Sequence, residues 1–167
     1  MHGSIAVGET RMVFGAYGPN TARGEVPVWS SVDGGRTWVA AHVFRAGEVR
    51  HVHSVSWDPV GDAFWVATGD EDGECYLYRF DRNMRNPSRF GDGGQSWRAV
   101  GLLFDASSVT WGMDAPGETC RLMTLDRTTG RLSAGTPLGG PVWYVKRLAD
   151  GVSLLQTTVE PGVRATE

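Results

Sequence analysis

The chain has 167 residues, with 16 Lys and Arg against 19 Asp and Glu, and a formal charge of −3. That balance gives no general attraction to nucleic acid or to an anionic membrane, and no apolar run approaches the roughly 20 residues needed to span a bilayer. With 41% hydrophobic residues, 23 Gly and 7 Trp but almost no helix-patterned segment, the composition indicates a single soluble all-β domain over 1–167.

In chain order, residues 5–16 hold a strand or two, RMVFGAYG ending in a Gly-Pro-Asn turn. VPVWSSV then enters SVDGGRTW (31–38), and TWVAAHVF (37–44) leaves it as the partner strand. From His51 to Arg82 the chain reads as three strands, HVHSVSW, AFWVATG and CYLYRF, joined by the turn clusters DPVGD and DEDGE. The outer strand of this unit is expected in NMRNPSRF, where Pro87 and the Arg residues fit a solvated edge. A third unit holds SWRAVGLLF, SVTWGMD, CRLMTLD and RLSAGTPL, and PVWYVKRL with VSLLQTTVE starts a fourth. The N-terminal MHGSIAVGETRMVF lacks the basic start and continuous apolar stretch of a signal peptide, and the location of the protein is left open. Cys75 and Cys120 have no CxxC partner and read as small buried thiols in equivalent core slots.

The units repeat. A shift of 45 places ECYLYRFDR on TCRLMTLDR, so that Cys75 meets Cys120 and Asp81 meets Asp126. The same shift carries HSV (53–55) onto RAV (98–100) and then onto WYV (143–145). Four short strands every 40–45 residues are the pattern of propeller blades. The expected architecture is therefore all-β, a β-propeller of four-stranded antiparallel blades, about three and a half of them, at roughly 5–47, 48–92, 93–139 and 140–162. A homo-oligomer that completes the ring is one way to close it.

SVDGGRTW matches the pattern S-x-D-x-G-x-T-W in full, and here the chain resembles the BNR/Asp-box propellers, the sialidase-like superfamily. The resemblance implies a hairpin between the third and fourth strands of a blade, with Ser31, Asp33, Gly35, Thr37 and Trp38 in structural roles. FGDGGQSW (90–97) looks like a second copy but is out of register. Asp81 and Asp126 take the equivalent places instead, and DGGQSW becomes the crossing between blades two and three.

In a four-stranded meander the turns from strand two to strand three share a face with the links between blades. That face collects Asp70, Asp114 and Glu160 at the ends of second strands, and His51, His53, Arg98, Trp143 and Tyr144 at the starts of first strands. Each has a plain alternative: a turn-forming acid, a structural Arg or His, a core aromatic. His51 and His53 share a strand face, but spacing supplies no third ligand, so neither a metal nor another cofactor is indicated. Read as a carbohydrate-active propeller (glycoside hydrolase or polysaccharide lyase-like), the chain would use Asp70 and Asp114 as acid and base or nucleophile, with His53 as proton shuttle. Arg98, His51, Trp143, Tyr144 and Glu160 would then hold a glycan or other polar small ligand. The competing reading is a non-catalytic glycan- or protein-binding or assembly propeller built on the same mouth.

Overall fold

The structure, a computed structural model, describes residues 5–159. Four antiparallel meanders follow one another, each with its strands in chain order. The first holds β1 (Ala6–Val7), β2 (Met12–Gly15), β3 (Val26–Ser31) and β4 (Val39–Phe44). The second holds β5 (His51–Asp58), β6 (Ala63–Gly69), β7 (Cys75–Asp81) and β8 (Ser88–Gly93). The third holds β9 (Leu103–Phe104), β10 (Ser108–Gly112), β11 (Arg121–Asp126) and β12 (Leu132–Pro137), and the fourth has β13 (Val142–Arg147) and β14 (Ser153–Thr157). The described residues form an all-β partial propeller of three four-stranded blades and a two-stranded fourth.

Strand β6 shows how the blades stack. All seven of its residues are buried, because a central blade is covered on both faces. By the two-residue period of a strand, Ala63, Trp65 and Ala67 face one side and Phe64 and Val66 the other. The first set packs with Val109, Trp111, Met123 and Leu125 of the third sheet. The second packs with Val13, Val28 and Phe44 of the first. Trp111 is fully buried and donates its indole N–H to Ser96 O at 3.0 Å, so it belongs to the core. Cys75 and Cys120 are free buried thiols in one cluster.

Glycines set how closely neighbouring blades approach. A Cβ on Gly112, the last residue of β10, would lie 2.3 Å from Val142 Cγ2 on the next blade's first strand. Gly15 at the end of β2 stands in the same relation to Val52 of β5, again at 2.3 Å.

The turns from third to fourth strand carry the repeated aspartates. Asp33 Oδ1 accepts the amides of Arg36 and Thr37 at 2.9 and 3.0 Å, and Thr37 Oγ1 donates to Asp33 Oδ2 at 2.6 Å. The Thr37 hydroxyl and amide, with the Ser31 hydroxyl, hold the Asp33 carboxyl down at about 2. Gly35 takes the left-handed conformation at φ +86, Trp38 donates to its carbonyl at 3.0 Å, and the Trp38 ring packs edge-on against Phe14. Asp81 accepts the Asn83 and Arg85 amides, and Asp126 those of Thr128 and Thr129, in the corresponding turns.

Residues 5–16 hold two strands, the two-residue β1 pairing with β2, and two other expectations change. The outer strand of the second blade is Ser88–Gly93 rather than NMRNPSRF, because Met84 and Asn86 turn left-handed (φ 59 and 52) and the strand starts only after Pro87. The continuous strand read in SWRAVGLLF is broken: Gln95–Trp97 is a 3-10 turn, Ala99 makes a lone bridge to Met113, and β9 is two residues long. Gly101 lies against Val145 of β13 there, with no side chain to pack on the pleat.

Candidate functional site

All four sheets send a residue to one end of the central axis. Tyr17 follows β2, His53 lies on β5, Asp70 follows β6, Arg98 leaves the 3-10 turn, Asp114 follows β10 and Trp143 lies on β13. With Val100 they line a cavity of about 160 Å³. A larger, half-open channel of about 450 Å³ shares His53, Val100 and Trp143 with it, passes Val7, Val55 and Phe104, and has a mixed polar and apolar lining. The charged groups sit in the smaller space.

Backbone irregularity aims the side chains. The register of β5 against β6 slips between Val52 and Ser54, which makes His53 the extra residue of a bulge. The register of β13 against β14 slips between Val142 and Tyr144, so Trp143 is its counterpart. Bulges re-aim side chains in this way. His53 and Trp143 are the two residues that the 45-residue shift relates through Arg98.

Asp70 is the hub. His53 Nε2 lies 2.7 Å from Asp70 Oδ1, and Arg98 Nη2 is 3.0 Å from the same oxygen. Arg50 Nη1 lies 3.1 Å from Asp70 Oδ2, and His51 Nε2 is 3.5 Å from Oδ1. Arg98 Nη1 and Gln95 Nε2 donate to the Asp70 carbonyl at 3.0 and 3.1 Å. Burial alone would raise the Asp70 carboxyl, but the two imidazoles beside it hold it far below the usual carboxylate range. Asp114 accepts the Trp143 indole N–H at 3.0 Å, and Arg98 Nε lies 3.4 Å from its other oxygen. His53 also links the acids, its Nδ1 standing 3.8 Å from Asp114 Oδ2.

The turn that presents Asp70 is tied by buried Glu74. Its carboxylate accepts the amides of Asp70, Glu71 and Arg50 at 3.0, 2.9 and 2.8 Å, and pairs with Arg23. Burial opposes its ionisation, yet the Glu71 and Asp70 amides and Arg23 hold it below its ordinary value. The neighbouring Cys75 thiol is pushed up to about 12 by burial, and so stays protonated.

Of the expected site residues, His51, His53, Asp70, Arg98, Asp114 and Trp143 meet at this mouth. Tyr144 does not. It is 52% exposed and lies along the channel wall and the open face of β13–β14, because it is displaced by one residue from the bulge that turns Trp143 inward. Glu160 lies outside the described residues. Tyr17, Arg50 and Glu74 were not foreseen. Tyr17 stands two residues after Gly15, as Asp114 stands two after Gly112, and that parallel was a legible signal.

Fold and mouth together define a segment of a β-propeller with a polar axial site. No protein-family model matches the chain, and no curated protein matches it. Among solved structures it is similar to TolB from Acinetobacter baumannii, with a TM-score of 0.57 and 15% identity over 87% of this chain and 34% of that one. The chain thus spans about a third of that structure's length, and the likeness is one of fold.

Proposed function

We propose that this chain supplies a ligand-binding mouth of a propeller and acts as a binding module for a small polar ligand, not as a hydrolase. The observation that carries this reading is the convergence of His53, Asp70, Arg98, Asp114 and Trp143 from three sheets on one cavity of about 160 Å³. Pockets that bury drug-sized ligands run to roughly 300–1,000 Å³, so this space suits an ion, a few waters or the tip of a sugar. Its acids are ion-paired to Arg98, Arg50 and His53. A carboxyl held far below its usual range stays ionised at neutral pH and has no proton to give a leaving group. The turn geometry at Ser31–Trp38 supports the likeness to Asp-box propellers, in which the motif is architectural.

The test is calorimetry on the folded chain with a panel of neutral sugars, uronic acids and sialic acid. Binding of one of them, weakened at least tenfold in Arg98→Met, is expected. A panel that leaves no heat signal overturns the glycan form of this reading. A second reading, a glycoside hydrolase or polysaccharide lyase, draws on the meeting of two carboxylates from adjacent sheets at one guanidinium. Turnover of a glycan that is abolished in Asp114→Asn, with the fold intact, would replace the first reading by the second.

A further inference from the structure

We propose that His51, His53 and Asp70 form a site for a divalent cation of the zinc class. This deepens the binding reading above, and rests on it, by naming the ligand of the innermost part of the mouth. Each of the three residues has a donor atom within 4.8 Å of the other two. Two histidine nitrogens and one carboxylate are the donors that zinc takes in catalytic-type sites, with a further position left for water or ligand. Two of the three residues, His53 and Asp70, line the cavity together with Arg98 and Asp114.

The observation that calls for a cation is His51. Its side chain is 5% exposed, and its Nδ1 is 2.9 Å from the Gly18 carbonyl, which fixes the proton on Nδ1. Its Nε2 is buried, has no hydrogen-bond partner and faces the Asp70 carboxylate at 3.5 Å. A cation between this nitrogen and the Asp70 carboxylate would give the buried Nε2 the partner it lacks. A histidine whose far nitrogen donates to a backbone carbonyl is the usual posture of a metal ligand.

His53 tells the same story from the other side. With a cation on Nε2, its proton moves to Nδ1, an atom that is buried and lacks a hydrogen-bond partner. That nitrogen stands 3.8 Å from Asp114 Oδ2, and closing the gap to hydrogen-bond distance would make Asp114 the outer carboxylate of a carboxylate–histidine–metal arrangement. Tetrahedral coordination at zinc distances separates donors by about 3.3 Å. The His51–Asp70 separation of 3.5 Å already suits this, and His53 must draw back from Asp70 by about 0.6 Å from its 2.7 Å contact. Arg98 shares Asp70 Oδ1 and keeps the second lone pair of that oxygen, with Asp114 as its other partner. The carboxylates of Asp70, Asp114 and Glu74 offset the nearby Arg98, Arg50 and Arg23, so the dication does not enter a net positive pocket.

The experiment is a calorimetric titration of the metal-stripped chain with zinc chloride at neutral pH. Alongside it, nitrogen-15 spectra of the histidine rings are recorded on the wild type. One zinc per chain is expected, with the Nε2 resonances of both His51 and His53 moving on binding. His51→Gln should abolish binding, Asp114→Asn should weaken it by about 10–100-fold, and His42→Gln should leave it unchanged. Absence of zinc binding overturns the proposal. So does a spectrum in which His51 carries protons on both nitrogens and does not respond to zinc, since a second proton would then satisfy Nε2. The ring spectra need no variant, so a misfolded His51→Gln does not blunt the test. Zinc failure alongside sugar binding removes the cation site and leaves the binding reading standing.

Discussion

At the end of the blades away from the mouth, the last residue of β5 joins the second blade to the third, and replacing its partner Arg127 by Met tests what that join contributes. Asp58 is completely buried. Its carboxylate accepts the Val60 and Gly61 amides at 3.1 and 2.9 Å, the Trp65 indole at 3.1 Å, and Arg127 Nη1 at 2.6 Å. Arg127 also donates to the Asp105 carbonyl at 2.8 Å. Charge centres about 4 Å apart interact by about 4 kcal/mol at an effective dielectric constant of about 20. Removing one member of a buried pair costs about 3–5 kcal/mol, because the other charge stays desolvated. The Arg127 side chain is 16% exposed, which places the expected loss near the lower figure, about 3 kcal/mol. For a chain of this size that is a fall of about 6–12 °C in Tm. Urea unfolding at neutral pH and at acid pH is the assay. Burial raises the Asp58 carboxyl, while Arg127, the Gly61 amide and the Trp65 indole bring it below its ordinary value. The arginine's contribution is therefore complete above the unfolded pKa of about 3.9 and fades as pH falls through the folded one. The gap between wild type and variant must shrink in acid. A loss below about 1 kcal/mol at neutral pH, or a gap that does not depend on pH, refutes this account of the join.

Gly112→Ala drives a Cβ to 2.3 Å from Val142 Cγ2 and should destabilise the chain by about 1–3 kcal/mol, with Val142→Ala restoring part of the loss in the double variant; additive losses would refute the close-approach argument. The metal-free chain should lose stability steadily below about pH 4.5, since Asp33, Asp58 and Glu74 all ionise more readily folded than unfolded and must take up protons on acidification. Thermal melts between neutral pH and pH 3 check this, and a flat profile would count against the hydrogen bonds and ion pairs that hold these three carboxylates.

The blades were legible because a strand buried on one face alternates and one buried on both, such as β6, reads as a short apolar run, and because a repeat replaces each residue by a similar one at a fixed distance. HSV, RAV and WYV mark the same turn of the chain in three blades, and the structure places His53, Arg98 and Trp143 around one cavity. The aspartates of the outer turns were legible for a local reason: Asp33, Asp81 and Asp126 each cap amides no more than four residues away. Edges were not. The inner strand of the third blade broke at Gly101 because Val145, distant in sequence, occupies the space beside it.

The amino-acid sequence by itself determined the all-β class, the four-stranded repeat and the end of the blades on which the polar residues gather. These follow from periodicity and turn chemistry, which act between near neighbours. Tertiary structure alone decided that the bulge at position 53 turns a histidine toward Asp70, that Trp143 enters the mouth while Tyr144 stays outside, and that Tyr17, Arg50 and Glu74 complete the setting. It alone placed Asp70 within 4.8 Å of His51 and His53. Residues on different strands meet only when blades stack, and one slipped register exchanges the face a side chain takes.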